Sequence, residues 1–145
     1  MNTVRKLLKN FNQNIDLIEN EPLCEHTTFK VGGKADFFTR PHNIEDFTHF
    51  LIFLKQNNIR FFVLGGGSNL VFSDAGFKGV ILCTEKLNQI EILDASFSIC
   101  NECDLLKING NEEKTFYLKC GAGTKMAEQS IVRAQLPRHS YPIPL

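Results

Sequence analysis

Val4, Leu7, Leu8 and Phe11 recur at i, i+3, i+4 and i+7, the spacing of one helix face, and predict a short amphipathic helix near the start of the chain. Glu21-Pro22 breaks that pattern, because the residue before a proline is pushed out of the helical region. Phe29 and Val31 alternate with Thr28 and Lys30, so a strand is predicted to enter Gly32-Gly33. A second strand leaves through Ala35 to Thr39 and ends at Pro41. The glycine pair reads as a hairpin-like turn, or as a backbone loop lining a pocket. His26, just upstream, reads as a surface or capping residue. Residues 43–57 give the clearest helix. Asn43 suits an N-cap, Glu45 and Asp46 fall in the first turn and Lys55 in the last. Ile44, Phe47, Phe50, Leu51 and Leu54 form one apolar stripe, with His49 facing outward. Asn57-Asn58 ends the helix, and a buried strand is predicted from Ile59 to Leu64.

Beyond residue 69 the pattern is shorter-ranged. Leu70-Val71-Phe72 reads as a short strand, residues 73–79 as a turn and Val80 to Cys83 as another buried strand. Ile90 and Ile92 share a face within an alternating stretch from Leu87 to Leu93. Between Asp94 and Lys114 two candidate strands, Phe97 to Cys100 and Asp104 to Ile108, lie near the turn-forming Asn109-Gly110-Asn111. Thr115 to Cys120 forms a further strand ending in Gly121-Ala122-Gly123, and Thr124 is placed to cap a helix through about Ala134. Pro137, Pro142 and Pro144 then mark a segment that can neither extend a helix nor sit centrally in a sheet. A solvated or weakly packed end is the expectation there.

Length and charge narrow the classes. The chain has 145 residues, enough for one domain, and its 43% hydrophobic content fits a packed core. Sixteen basic and sixteen acidic residues cancel, which removes the electrostatic footprint of a nucleic-acid binder. Apolar runs fall far short of the ~20 residues that cross a bilayer, so neither nucleic acid nor membrane is an expected partner. The basic N-terminus (Arg5, Lys6, Lys9) lacks the apolar core of a signal peptide. Five cysteines without framework spacing point to reduced thiols in the cytoplasm. Cys100-Asn101-Glu102-Cys103 is a C-x-x-C with no second pair and no adjacent His, so no metal site is assigned to it. No helix onset follows that would lower a thiol pKa.

The chemistry concentrates at one place. The strand-like run Arg60-Phe61-Phe62-Val63-Leu64 stops at Gly65-Gly66-Gly67, and Ser68-Asn69 follows. Consecutive glycines cost backbone entropy and offer bare amides, positive φ and close approach by another molecule. Converging amides make a concavity for phosphate or pyrophosphate, to which Ser68 can add a hydroxyl and Asn69 an amide. A loose connection after a strand is the other reading of the same glycines. Familiar motifs do not fit. A phosphate loop needs Gly-Lys-Ser/Thr, and both the dinucleotide fingerprint and the nucleophile elbow need glycine where Leu70 stands. Ser68 is therefore a poor nucleophile candidate.

Four segments in order carry a resemblance: residues 28–36 (Thr-Phe-Lys-Val-Gly-Gly-Lys-Ala-Asp), 64–70, 76–81 (Gly-Phe-Lys-Gly-Val-Ile) and 121–123. Over about Cys24 to Glu128 the chain resembles the UDP-N-acetylenolpyruvoylglucosamine reductase family. The resemblance implies an α+β FAD-binding domain of the vanillyl-alcohol oxidase-like (PCMH) type, here incomplete. The partial FAD domain so implied covers 24–128, leaving outside it an N-terminal helical extension over 1–23 and an atypical Pro-rich tail over 129–145. In that family the glycine loop holds the FAD pyrophosphate, which assigns cofactor binding to Leu64, Gly65, Gly66, Gly67, Ser68 and Asn69. The family takes hydride from NADPH and reduces UDP-N-acetylenolpyruvoylglucosamine to the UDP-N-acetylmuramate of peptidoglycan synthesis. The arginine, glutamate and serine assisting that reduction lie in a part of the family pattern with no counterpart here, so no catalytic residue is assigned. The expectation is a truncated or frame-shifted reductase that keeps part of its FAD site. A flavin- or nucleotide-binding module without catalysis and an inactive remnant are the alternatives.

Overall fold

A computed structural model describes residues 2–11, 15–100, 116–125 and 128. Helix α1 (Asn2–Lys9) forms on the expected apolar spacing, and Leu8 is buried. Helix α2 (Ile44–Gln56) starts where its cap predicts: the Asn43 side chain accepts from the Asp46 amide at 2.8 Å. Its stripe buries Phe50 and Leu54, while Ile44, at the first turn, is exposed, as is His49.

Four strands make one sheet in the order β1-β2-β4-β3: β1 (Leu17–Pro22), β2 (Lys34–Thr39), β3 (Phe61–Leu64) and β4 (Phe77–Cys83). β1 runs antiparallel to β2, whereas β4 is parallel to both β2 and β3. Central β4 explains its own sequence. Val80 and Leu82 enter one core with Phe37, Phe50, Leu54 and Leu8; Ile81 and Cys83 enter another with Phe38, Leu64, Leu23 and Phe72. A strand covered on both faces reads as a continuous apolar run, which is how Val80 to Cys83 reads.

Several expectations are corrected. No strand runs through Thr28 to Val31, and Gly32-Gly33 is not a hairpin turn; β2 pairs instead with β1, Leu17 opposite Thr39 and Pro22 opposite Lys34. β1 escaped notice because it is a half-exposed edge strand carrying Glu19 and Glu21 and ending in proline, a residue that strands tolerate at edges and ends. The Arg5 guanidinium pairs with the Glu19 carboxylate from α1. The strand expected from Ile59 to Leu64 is shorter and is an edge strand, with Phe62 and Val63 exposed. Leu70 to Phe72 is not a strand. It belongs to an irregular crossover, residues 65–76, whose Leu70 and Phe72 cover the second core.

Residues Met1–Leu87 and Asn88–Leu145 form two separate compact units. In the second, β5 (Ile90–Leu93) pairs antiparallel with β6 (Tyr117–Cys120), and the Gly121 amide donates to Gln89 O at 2.8 Å. The strand expected over Phe97 to Cys100 is replaced by a tight turn. The Asp94 carboxylate accepts from the amides of Ser96 (2.8 Å) and Ser98 (3.0 Å) and from the Ser96 hydroxyl (2.6 Å). Phe97 takes φ +61° and stacks on Tyr117, leaving only a single bridge between Leu93 and Ile99. The candidate strand at 104–108, the turn at 109–111, Cys103, most of the helix after Thr124 and the Pro-rich end lie outside the described residues. Among the described residues no helix is long and apolar enough to cross a membrane.

Two outcomes test these local arguments. Asn43→Ala should lower the urea-unfolding free energy by about 1 kcal/mol, the usual cost of an N-cap. Hydrogen bonds, first from the Ser96 hydroxyl and then from the Ser98 amide, hold the Asp94 carboxyl below its usual range. A depressed carboxylate stabilises its turn above the unfolded pKa and loses that contribution as pH falls through the folded value. Faster amide exchange at Ser96 and Ser98, relative to the intrinsic rate, is therefore expected only below about pH 4, and not between pH 5 and 8.

Candidate functional site

Parallel pairing decides where the glycine loop emerges. Thr39 lies beside Leu82 and Leu64 beside Cys83, so β2, β3 and β4 end along one edge of the sheet. Open sheets place ligands beyond such carboxyl ends. Leu64 closes β3 with its side chain buried in the second core and its carbonyl accepting the Thr84 amide at 2.9 Å. Its contribution to a ligand can come only from the main chain.

The next residues open outward. A Cβ placed on Gly65 would meet nothing within 4 Å, and one on Gly66 would meet only Ser68 Oγ at 3.8 Å. Gly65, Gly66, Ser68 and Asn69 are exposed. Among the described residues their four amides donate to no protein acceptor. This is a short run of bare donors, with a hydroxyl and a side-chain amide beside it, at the end of a rigid strand. Such a run suits acceptor-only anionic oxygens.

Gly67 differs from its neighbours. It is buried, takes φ +63°, and a Cβ there would collide with the His26 carbonyl oxygen. Its own carbonyl accepts the Thr28 amide at 3.1 Å. Gly67 therefore fastens the loop to the segment after the 3-10 turn Leu23–His26, and only its neighbours face outward. Gly32 and Gly33, expected at a hairpin or a pocket wall, are also packing glycines. A Cβ on Gly33 would strike the Asp74 carbonyl, and the Gly33 amide donates to Ser73 O at 2.9 Å. His26, expected at the surface or as a cap, is instead largely covered. Its ring stacks on Phe38 at 4.3 Å between centroids, and its Nε2 lies 2.8 Å from Glu21 Oε1. No spacing in the sequence announces that arrangement.

The Cys83 thiol, beside the end of β3, does not suit reactive chemistry here. Burial, above all other influences, pushes the Cys83 thiol up, away from the thiolate form that reacts. Among the described residues no cluster of three or more His, Cys, Asp or Glu side chains could hold a metal.

The family model described as an FAD binding domain matches residues 35–132, well over half of the chain. The chain belongs to the FAD binding domain family. FAD is accordingly the cofactor to which the fold points, and the exposed donors after β3 fit its doubly anionic pyrophosphate. The chain is also similar to UDP-N-acetylenolpyruvoylglucosamine reductases. That of Carboxydothermus hydrogenoformans is 49% identical over 76 residues, covering 52% of this chain and 25% of the relative. That of Geobacter metallireducens is 37% identical over 78 residues, covering 54% and 26%. The chain thus spans about a quarter of the length of these curated relatives. Among solved structures, an alkyldihydroxyacetonephosphate synthase aligns at TM-score 0.41 and 22% identity, covering 61% of this chain and 19% of its own.

The three loop glycines should separate on mutation. Gly67→Ala meets both the left-handed backbone and the His26 carbonyl, and should lower the unfolding free energy by about 2 kcal/mol or more. Gly66→Ala, in open space, should stay within about 0.5 kcal/mol of the parent. Denaturant titration of the two variants reads the difference.

Proposed function

We propose that the chain supplies the pyrophosphate-holding part of an FAD-dependent reductase of peptidoglycan precursor synthesis. The observation that carries this reading is the set of unengaged amides at Gly65, Gly66, Ser68 and Asn69, presented where parallel β3 ends. Leu64 anchors the loop at one side and Gly67 at the other, while the hydroxyl of Ser68 and the side-chain amide of Asn69 can donate to the same oxygens. Fixed donors at a strand end orient a cofactor without needing a side-chain charge of their own. When bound, FAD supplies hydride transfer; the protein's task is to hold and orient it.

The reaction proposed for the whole enzyme is reduction of UDP-N-acetylenolpyruvoylglucosamine, as its relatives' name indicates, and the proposal adds NADPH as hydride donor and UDP-N-acetylmuramate as product. Such chemistry needs a proton donor within hydrogen-bond reach of the substrate carbon. No residue here is assigned that role, so binding is proposed for these 145 residues and turnover for the longer framework of the relatives. Cytoplasmic residence is part of the same proposal, and the free thiols of Cys24, Cys83 and Cys120 suit a reducing compartment.

Titration of FAD with the purified chain should quench flavin fluorescence saturably. Gly66→Val fills the open space over the amides and should weaken binding by about tenfold or more, with the unfolding midpoint unchanged. Absence of quenching, or equal affinity in the variant, would overturn the assignment of the loop. NADPH oxidation driven by UDP-N-acetylenolpyruvoylglucosamine with the chain alone would overturn the placement of turnover outside it.

A further inference from the structure

The glycine loop is braced from behind by a pair of polar side chains that neither the loop motif nor the family match explains. Gly67 lies with its backbone against the His26 carbonyl, close enough that no side chain fits between them. The Thr28 amide donates to Gly67 O at 3.1 Å, so two successive points of the 26–28 segment touch the same glycine. What fixes that segment is the side chain of His26. Its ring stacks on Phe38, which is fully buried in β2, and its Nε2–H donates to Glu21 Oε1 at 2.8 Å, from the end of β1. Both polar side chains are largely covered, at 11% and 16% exposure. A half-buried carboxylate deprived of its donor loses more than one hydrogen bond, since its desolvation is then uncompensated.

We propose that Glu21 and His26 are positioning residues for the flavin loop. The Glu21–His26 contact and the Phe38 stack hold the His26–Thr28 main chain as the wall against which Gly67 rests. Gly67 in turn sets the direction of the exposed amides on either side of it. This inference rests on the loop being the flavin site, but the brace itself can be tested without flavin. It differs from general fold stability in predicting a local effect. The sheet cores are built by other residues, and Glu21 and His26 act on the loop through one main-chain contact and one hydrogen bond.

The test uses the full chain and three variants. Glu21→Ala removes the acceptor, Glu21→Gln keeps an oxygen acceptor for His26 Nε2–H, and His26→Phe keeps a ring over Phe38 but removes the donor. Glu21→Ala and His26→Phe should each weaken FAD binding by about tenfold, whereas Glu21→Gln should stay within about threefold of the parent. In the absence of FAD, exchange of the Thr28 amide should quicken by about tenfold in the first two variants. Exchange of the Val80 amide, which donates to Arg60 O at 2.9 Å, should be unchanged. Unaltered Thr28 exchange in folded Glu21→Ala and His26→Phe would overturn the brace, as would equal acceleration at Thr28 and Val80. Failure of the parent chain to bind FAD would instead overturn the loop's function, while Thr28 exchange would still decide the brace. If Glu21→Ala does not fold, His26→Phe with Glu21→Gln as its hydrogen-bonding counterpart gives the same decision.

Discussion

The parallel pairing of β3 with β4 is the constraint on which the rest depends. A parallel neighbour cannot be reached by a tight turn; the chain must travel back the length of the strand before it can pair. Between β2 and β3 that journey is made by α2 over one face. Between β3 and β4 it is made by residues 65–76, without a helix, over the other. An irregular segment has to find partners for its backbone and cover a core with few side chains. Leu70 and Phe72 do the covering. Gly67 and Gly76 let the main chain press against the His26 and Lys34 carbonyls, where any Cβ would collide. Gly32, Gly33, Gly67 and Gly76 are thus crossing points of one strand-to-strand connection.

That division of labour explains what the sequence disclosed. Helix α2 was legible because its cap, its charges and its stripe agree, and central β4 because burial on both faces leaves four apolar residues in succession. The FAD-binding family was legible from four ordered glycine-containing segments, and the comparisons bear it out. β1 was hidden because an edge strand needs no apolar face, and its charged Glu19 and Glu21 are engaged by Arg5 and His26. Gly32-Gly33 was misread as a turn because local sequence cannot distinguish a glycine that bends the chain from one that admits another chain. The same ambiguity concealed the difference among Gly65, Gly66 and Gly67. Identical residues in succession have unlike tasks, and only tertiary neighbours tell them apart.

His26 illustrates the remaining gap. A histidine five residues after a glutamate carries no periodic signal, because the two meet through a 3-10 turn and over a phenylalanine twelve positions further on. Its ring, stacked on Phe38 and bonded to Glu21, matters through the backbone that it fixes against Gly67. Side-chain chemistry, the usual guide in reading a site from sequence, points away from such a residue.

Tethering at both ends also bears on how quickly the loop can be used. Leu64 is held by Thr84, Gly67 by Thr28, and only Gly65 and Gly66 lie between the two ties. So short a span has little conformational freedom left to lose when an anion arrives. For a cofactor held as proposed, encounter would be governed by diffusion and orientation, without a slow loop rearrangement preceding or following it. On that proposal a ligand meeting the Gly65 and Gly66 amides would exchange water for protein donors already in place, and its residence time, rather than its rate of arrival, would carry the differences in affinity among loop variants.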